Sequence, residues 1–190
     1  MIDDLNNRFC KVDPNIGIAC LYADYKDQNN QTLVRILESF LHQLLTTALI
    51  PIPDGVIKKL NDIKQRNGKP GSEDILALLK IRLQQLKCAF ICIDAVDELD
   101  PRVQQQLLDV LKELGTNNAS IFLTGRGHIE SEVQKRLQVL QQYKITISAS
   151  KEDIQEFLEQ QIKDDLNPDA MTEALAKDII VTITEKSQGM

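Results

Sequence analysis

The chain has 190 residues, enough to bury one sizeable core with a small appendage. Twenty-eight acidic against 22 basic residues leave a net charge of −6, which speaks against a general nucleic-acid surface, and 4% aromatics speak against a platform for stacking bases. No apolar run reaches the roughly 18 residues that a membrane-spanning helix needs, and Met1-Ile2-Asp3-Asp4 has neither the basic nor the apolar region of a signal peptide.

In chain order, Ile2, Leu5 and Phe9 recur at helical spacing, so residues 1–9 read as the tail of a helix. Residues 16–23 form a first apolar run. Leu33, Ile36, Leu37, Phe40, Leu41, Leu44 and Leu45 then make an unbroken helical stripe, and Val56, Ile57, Leu60 and Ile63 a second. Ser72 is placed as the N-cap of a third, carried by Ile75, Leu76, Leu79, Leu83 and Leu86. A second apolar run covers 88–94. Asp100-Pro101 then supplies a cap and a first-turn proline for a helix through Val103, Leu107, Leu108, Leu111 and Leu114, which stops at Gly115. A third run covers 120–124, Ile129, Val133 and Leu137 mark a helix, and a fourth run covers 143–148. The four runs are apolar on both faces, as buried parallel strands are, and their alternation with helices gives an α/β layered fold.

Two helices close the chain. Ser150 to Asp153 reads as a capping box before Ile154, Phe157, Leu158 and Ile162. Asn167-Pro168-Asp169 breaks that helix, and Met171, Leu175, Ile179, Ile180 and Ile183 mark the last. The expected division is a sheet domain over 1–149 and the start of a helical subdomain over 150–190.

Cys88 and Cys92 lie inside an apolar run, where cysteine acts as a small hydrophobe, while Cys10 and Cys20 complete the set. The spacing fits no structural zinc pair, and a reduced, cytoplasmic protein is the simplest expectation. Asn30-Gln31-Thr32 and Asn118-Ala119-Ser120 match the glycosylation sequon, and without a secretory signal both are read as chance.

The chemistry concentrates after the second run, in Ile93-Asp94-Ala95-Val96-Asp97-Glu98. A buried strand ends in an acid and two more acids follow within four residues. Such crowding is costly unless something positive compensates it, and a magnesium ion bound to a nucleotide does so. Strand C-terminal ends of a doubly wound sheet are where ligands sit. The functional reading is a Walker B segment: Asp94 holds magnesium through water, and Asp97 or Glu98 orients or deprotonates an attacking water. The bland reading is a solvated acidic turn that caps the helix at Pro101. The next strand ends in Thr124-Gly125-Arg126, and Arg126 either reaches a γ-phosphate or pairs with the neighbouring acids. Gly68-Lys69-Pro70-Gly71-Ser72 imitates a phosphate-binding loop, but no Gly-Lys-Ser/Thr follows Gly71 and no strand precedes it, so it reads as a helix-to-helix turn. No G-x-x-x-x-G-K-[ST] occurs in the 190 residues.

Several segments together resemble fungal NACHT domains, the nephrocystin-3-like N-terminal domains of the STAND class of P-loop NTPases. Tyr22-Ala23-Asp24-Tyr25-Lys26-Asp27 with Gln31-Thr32 and the following stripe looks like their second strand and helix. Asp94-Ala95-Val96-Asp97-Glu98 resembles their Walker B signature, and Leu123-Thr124-Gly125-Arg126 their sensor 1, usually Thr-Ser-Arg. Asp153-Ile154 with Phe157 resembles the opening of the first helical subdomain, and Ser187-Gln188-Gly189-Met190 its closing motif. The resemblance implies a three-layer sandwich with strand order 5-1-4-3-2, here without its first strand and phosphate loop. It implies magnesium with ATP or GTP in the full-length protein, held by Asp94 with Thr124 and Arg126 at the phosphates and Asp97 and Glu98 in catalysis. It also implies a winged-helix segment and ankyrin, WD40 or TPR repeats as partner domains, with self-association possible. A nucleotide switch with little hydrolysis and no bound nucleotide in this chain is the leading expectation. A non-catalytic interaction scaffold is the alternative. A metal-dependent hydrolase built on the three acids fits poorly, because no histidine lies near them.

Overall fold

A computed structural model describes residues 7–8, 12–47, 50–66, 69–138, 143–164 and 171–187. The first apolar run becomes strand β1 (Ile16–Tyr22), the second β2 (Cys88–Asp94) and the third β3 (Ala119–Leu123). All pair in parallel, in the order β1-β2-β3, with Tyr22 opposite Asp94 and Ile93 opposite Leu123. That order equals the contiguous 4-3-2 part of the expected arrangement. The crossovers carry helices α1 (Leu33–Thr47), α2 (Asp54–Gln65), α3 (Ser72–Leu83) and α4 (Pro101–Gly115), with α5 (Glu130–Leu137) after β3. The fold is α/β, as parallel pairing requires.

The alternation within each strand decides the layers. Ala19, Ala89, Ile91 and Ile93 point to one face and are buried with Ile36, Leu37, Phe40 and Leu44 of α1, Ile75, Leu79 and Leu83 of α3, and Leu107, Leu111 and Leu114 of α4. Ile16 and Ile18 lie on the opposite face with Cys20 and Phe90. Of the second predicted stripe, Val56 and Ile63 are buried, whereas Ile57 faces outward.

Among the described residues strand β1 is an edge, and two side-chain amides occupy it. Gln43 accepts from the Cys20 N–H at 2.8 Å and donates to the Cys20 carbonyl at 2.9 Å. Gln31 donates to the Tyr22 carbonyl at 3.1 Å and accepts from the Asp24 N–H at 3.2 Å. The side chains thus imitate a fourth strand and cover backbone groups that would otherwise template unwanted pairing.

The helix ends follow the local chemistry with one correction. Asp100 caps α4, accepting from the N–H groups of Arg102 at 2.9 Å and Val103 at 3.4 Å. Asp100→Ala should cost about 1 kcal/mol, read as a lower urea midpoint at unchanged slope; an unmoved midpoint would show that Pro101 alone starts the helix. Helix α3 is capped by Gly71, not by Ser72. The reason is that Asp74 reaches back to the Gly71 N–H at 3.4 Å, so the extended residue lies one position earlier. Lys69 to Gly71 is irregular chain between α2 and α3, and Gly68 lies outside the described residues.

The larger correction concerns 143–148, which forms no strand. Tyr143, Ile145 and Ile147 are 72%, 83% and 88% exposed. Apolar alternation makes a segment fit for a sheet, but a strand exists only where a neighbour pairs with its backbone. Among the described residues the sheet ends at β3.

The chain divides into two units, Met1–Leu140 and Gln141–Met190. The second holds α6 (Lys151–Lys163) and α7 (Glu173–Lys186), which pack on each other. The capping box at Ser150 forms in full, each of Ser150 and Asp153 accepting the other's backbone N–H at 3.0 Å. The predicted helical tail at Ile2, Leu5 and Phe9, the break at Asn167-Pro168-Asp169 and the closing Gln188-Gly189-Met190 lie outside the described residues. Among the described residues no helix is long and apolar enough to cross a membrane.

Candidate nucleotide-binding edge

Parallel strands all end at the same side of a sheet, so β2 and β3 deliver Asp94 and Thr124 to one edge. The junction there is stitched by Thr124. Its N–H donates to the Ile93 carbonyl at 2.9 Å, and its carbonyl accepts from the Val96 N–H at 3.0 Å. Its hydroxyl accepts from the Ala95 N–H at 2.8 Å and donates to Asp94 Oδ1. Ala95 pays for this with a left-handed backbone (φ 54°, ψ 47°), rare for a residue with a Cβ. The reward is a sharp exit from β2 that leaves the Asp94 carboxylate exposed and turns the next two acids back toward the protein. Gln104 of α4 holds this exit from behind, donating to the Val96 carbonyl at 3.2 Å.

Asp97 faces inward and its side chain is 4% exposed. Oδ1 accepts from the Arg126 N–H at 3.2 Å, and Oδ2 lies 3.7 Å from Arg126 Nε. Gly125 makes this approach possible, because a Cβ there would meet Asp97 Oδ1 at 3.2 Å and the Ile129 Cδ1 atom at 2.6 Å. Serine, usual at this place in the resembled motif, would displace Ile129. Glu98 is shared between segments. Oε2 accepts from the Tyr25 N–H at 3.3 Å and Oε1 lies 3.7 Å from Arg126 Nη2, while its carbonyl accepts from Gln28 Nε2 at 2.8 Å. Tyr25 belongs to a one-turn helix that Asp24 caps through the Lys26 N–H at 2.9 Å.

Asp94, Asp97, Glu98, Thr124 and Arg126 therefore share one edge, in unequal states. Asp94 keeps an oxygen turned to solvent, whereas Asp97 and Glu98 are engaged internally. The Arg126 side chain is 76% exposed, and its two ion pairs at 3.7 Å are loose enough to exchange for another anion. Among the described residues no group of three or more His, Cys, Asp or Glu side chains could enclose a metal directly. A single free carboxylate suits magnesium, which keeps most of its waters and takes one or two protein oxygens beside substrate phosphates. Sequence reasoning missed the inward turn of Asp97 and the Glu98 link to Tyr25. The Ala95 backbone that causes both has no signature in residue type.

The family described as nephrocystin 3, N-terminal matches residues 1–126, a span that contains all five edge residues. No curated protein matches the chain. Among solved structures, the Aeropyrum pernix ORC1 protein in complex with DNA is similar at a TM-score of 0.47 and 15% identity, over 87% of this chain and 41% of that one. The chain thus spans less than half the length of that protein.

Proposed function

Because the chain belongs to the nephrocystin 3, N-terminal family, we propose that it carries the magnesium-facing edge of a nucleotide switch of the NACHT type, a P-loop NTPase of the STAND class. The observation that carries this reading is the pairing of an exposed Asp94 with the hydroxyl of Thr124 and the loosely held Arg126 on one carboxyl edge. Asp94 holds the waters of a magnesium ion, which neutralises ATP or GTP phosphates. Arg126 leaves its carboxylates for the γ-phosphate, and Glu98, thereby released, orients the attacking water. Asp97 supports Arg126 from beneath. In this reading the partners are other domains of a multidomain cytoplasmic switch, including winged-helix and repeat segments, or a second copy.

Phosphate binding in this class of chemistry rests on a row of backbone amides and a lysine, and no G-x-x-x-x-G-K-[ST] supplies them within the 190 residues. Calorimetric titration with magnesium–ATP and magnesium–GTP should give no binding at micromolar concentrations for these 190 residues. A version preceded by a strand and such a loop should bind, and Asp94→Ala and Arg126→Ala should each weaken it by about tenfold or more, roughly one strong charged contact. Micromolar binding by the unextended chain would refute the dependence on the loop. A well-folded extended version without binding would favour the second reading, a scaffold for protein partners. The internal engagement of Asp97 and Glu98 supports that alternative, since a purely structural site needs those contacts and no others.

A further inference from the structure

Cys20 and Cys92 are register partners on neighbouring parallel strands, so their side chains stand side by side on the same face, the one that also carries Tyr22 and Asp94. Strand spacing sets their Cα atoms about 4.8 Å apart. Both are free thiols, Cys20 half-buried and Cys92 buried. Cys88 is also free, but its register partner is Ile16 and its sulfur lies 3.8 Å from the Ser120 hydroxyl. A cysteine that merely fills space needs no second thiol in register. Two thiols fixed side by side offer two soft donors at once, which selects a soft, sulfur-seeking centre over magnesium or calcium.

We propose that Cys20 and Cys92 form a two-point binding site for a trivalent arsenical, seated on the sheet face two residues short of Asp94. With phenylarsine oxide as the probe, the arsenic–oxygen bond breaks and two arsenic–sulfur bonds form. The two thiol protons leave with the oxygen as water, and arsenic stays trivalent throughout. Cys20 reacts first because it is the more exposed. Closure onto Cys92 is then intramolecular, so the second bond forms at high effective concentration. Burial and the neighbouring thiol push the Cys20 pKa up to about 11, so the pair is protonated at neutral pH. Condensation carries those protons away as water, whereas alkylation needs the thiolate and is slow.

The test is intact-mass spectrometry of the full chain after phenylarsine oxide and removal of excess reagent. One adduct should survive excess 2-mercaptoethanol and be removed by 2,3-dimercaptopropanol, the signature of two-point attachment. Cys20→Ser and Cys92→Ser should each reduce the monothiol-resistant adduct by about tenfold or more, the loss of the second attachment, while Cys10→Ser and Cys88→Ser retain it. Should a serine variant lose its circular dichroism, mapping of the wild-type adduct decides. After unfolding, Cys20 and Cys92 should resist iodoacetamide while Cys10 and Cys88 are alkylated. An adduct mapped to another pair, one washed off by monothiol, or none at all would overturn the proposal.

Discussion

Arg82→Ala should cost the fold about 3–5 kcal/mol, a large share of the 5–15 kcal/mol that holds a typical domain together. Arg82 is fully buried in α3. Its Nε donates to the Leu44 carbonyl at 3.2 Å, Nη1 to the Pro51 carbonyl at 3.1 Å and Nη2 to the Ile50 carbonyl at 3.4 Å. Leu44 lies in the last turn of α1, where carbonyls have no partner within the helix. One guanidinium thus closes the end of α1, holds the chain that leaves it and fastens both to α3. Desolvation lowers the Arg82 pKa, yet an arginine stays charged. Truncation leaves buried carbonyls without donors and a cavity beside them. Arg82→Met restores much of the volume without the donors, so it should recover only part of the loss. Urea unfolding of the three proteins checks this. A loss under about 1 kcal/mol for the alanine variant would show that water serves those carbonyls equally well.

Asp97→Ala should cost about 2 kcal/mol and Asp94→Ala less than about 1 kcal/mol, although both belong to the same acidic run. The difference is one of surroundings. Asp97 is buried and accepts the Arg126 N–H, so its loss strands a donor and loosens the turn at Gly125. Asp94 is exposed, and the Thr124 hydroxyl that it accepts keeps its bond from Ala95. Asp97→Asn retains an acceptor oxygen and should fall between wild type and Asp97→Ala. Thermal melts of the variants separate the roles. Equal losses at both positions would remove the distinction between a supporting and an exposed acid. A larger loss for Asp94 would contradict its availability to magnesium.

Much of the architecture was legible because it depends on local pattern. The burial of Ile91, Cys92 and Ile93 in succession follows from a strand that is apolar on both faces, and the stripe from Leu33 to Leu45 from a helix with one buried side. Asp100-Pro101 and Ser150 with Asp153 start helices by hydrogen bonds that span three residues. The gathering of Asp94, Thr124 and Arg126 was legible too, because parallel strands end together whatever their contacts.

The tertiary structure decided the rest. Arg82 is buried at the helical spacing of Ile75 and Leu79, and sequence reasoning, which followed only the apolar residues of this helix, missed it. Only the carbonyls of Leu44, Ile50 and Pro51, brought from another segment, make that burial tolerable. Residues 143–148 have the alternation of a strand but pair with no described strand, since backbone pairing belongs to two segments and not to one. Asp94, Asp97 and Glu98 are three acids of one run, and their order separates the strand-end acid from the two that follow but not their degree of burial. The left-handed turn at Ala95 leaves Asp94 exposed beside the Thr124 hydroxyl, while Arg126 and Tyr25 engage the other two. A carboxylate's role depends on which donors lie within hydrogen-bond reach, and those donors come from parts of the chain that only folding brings together.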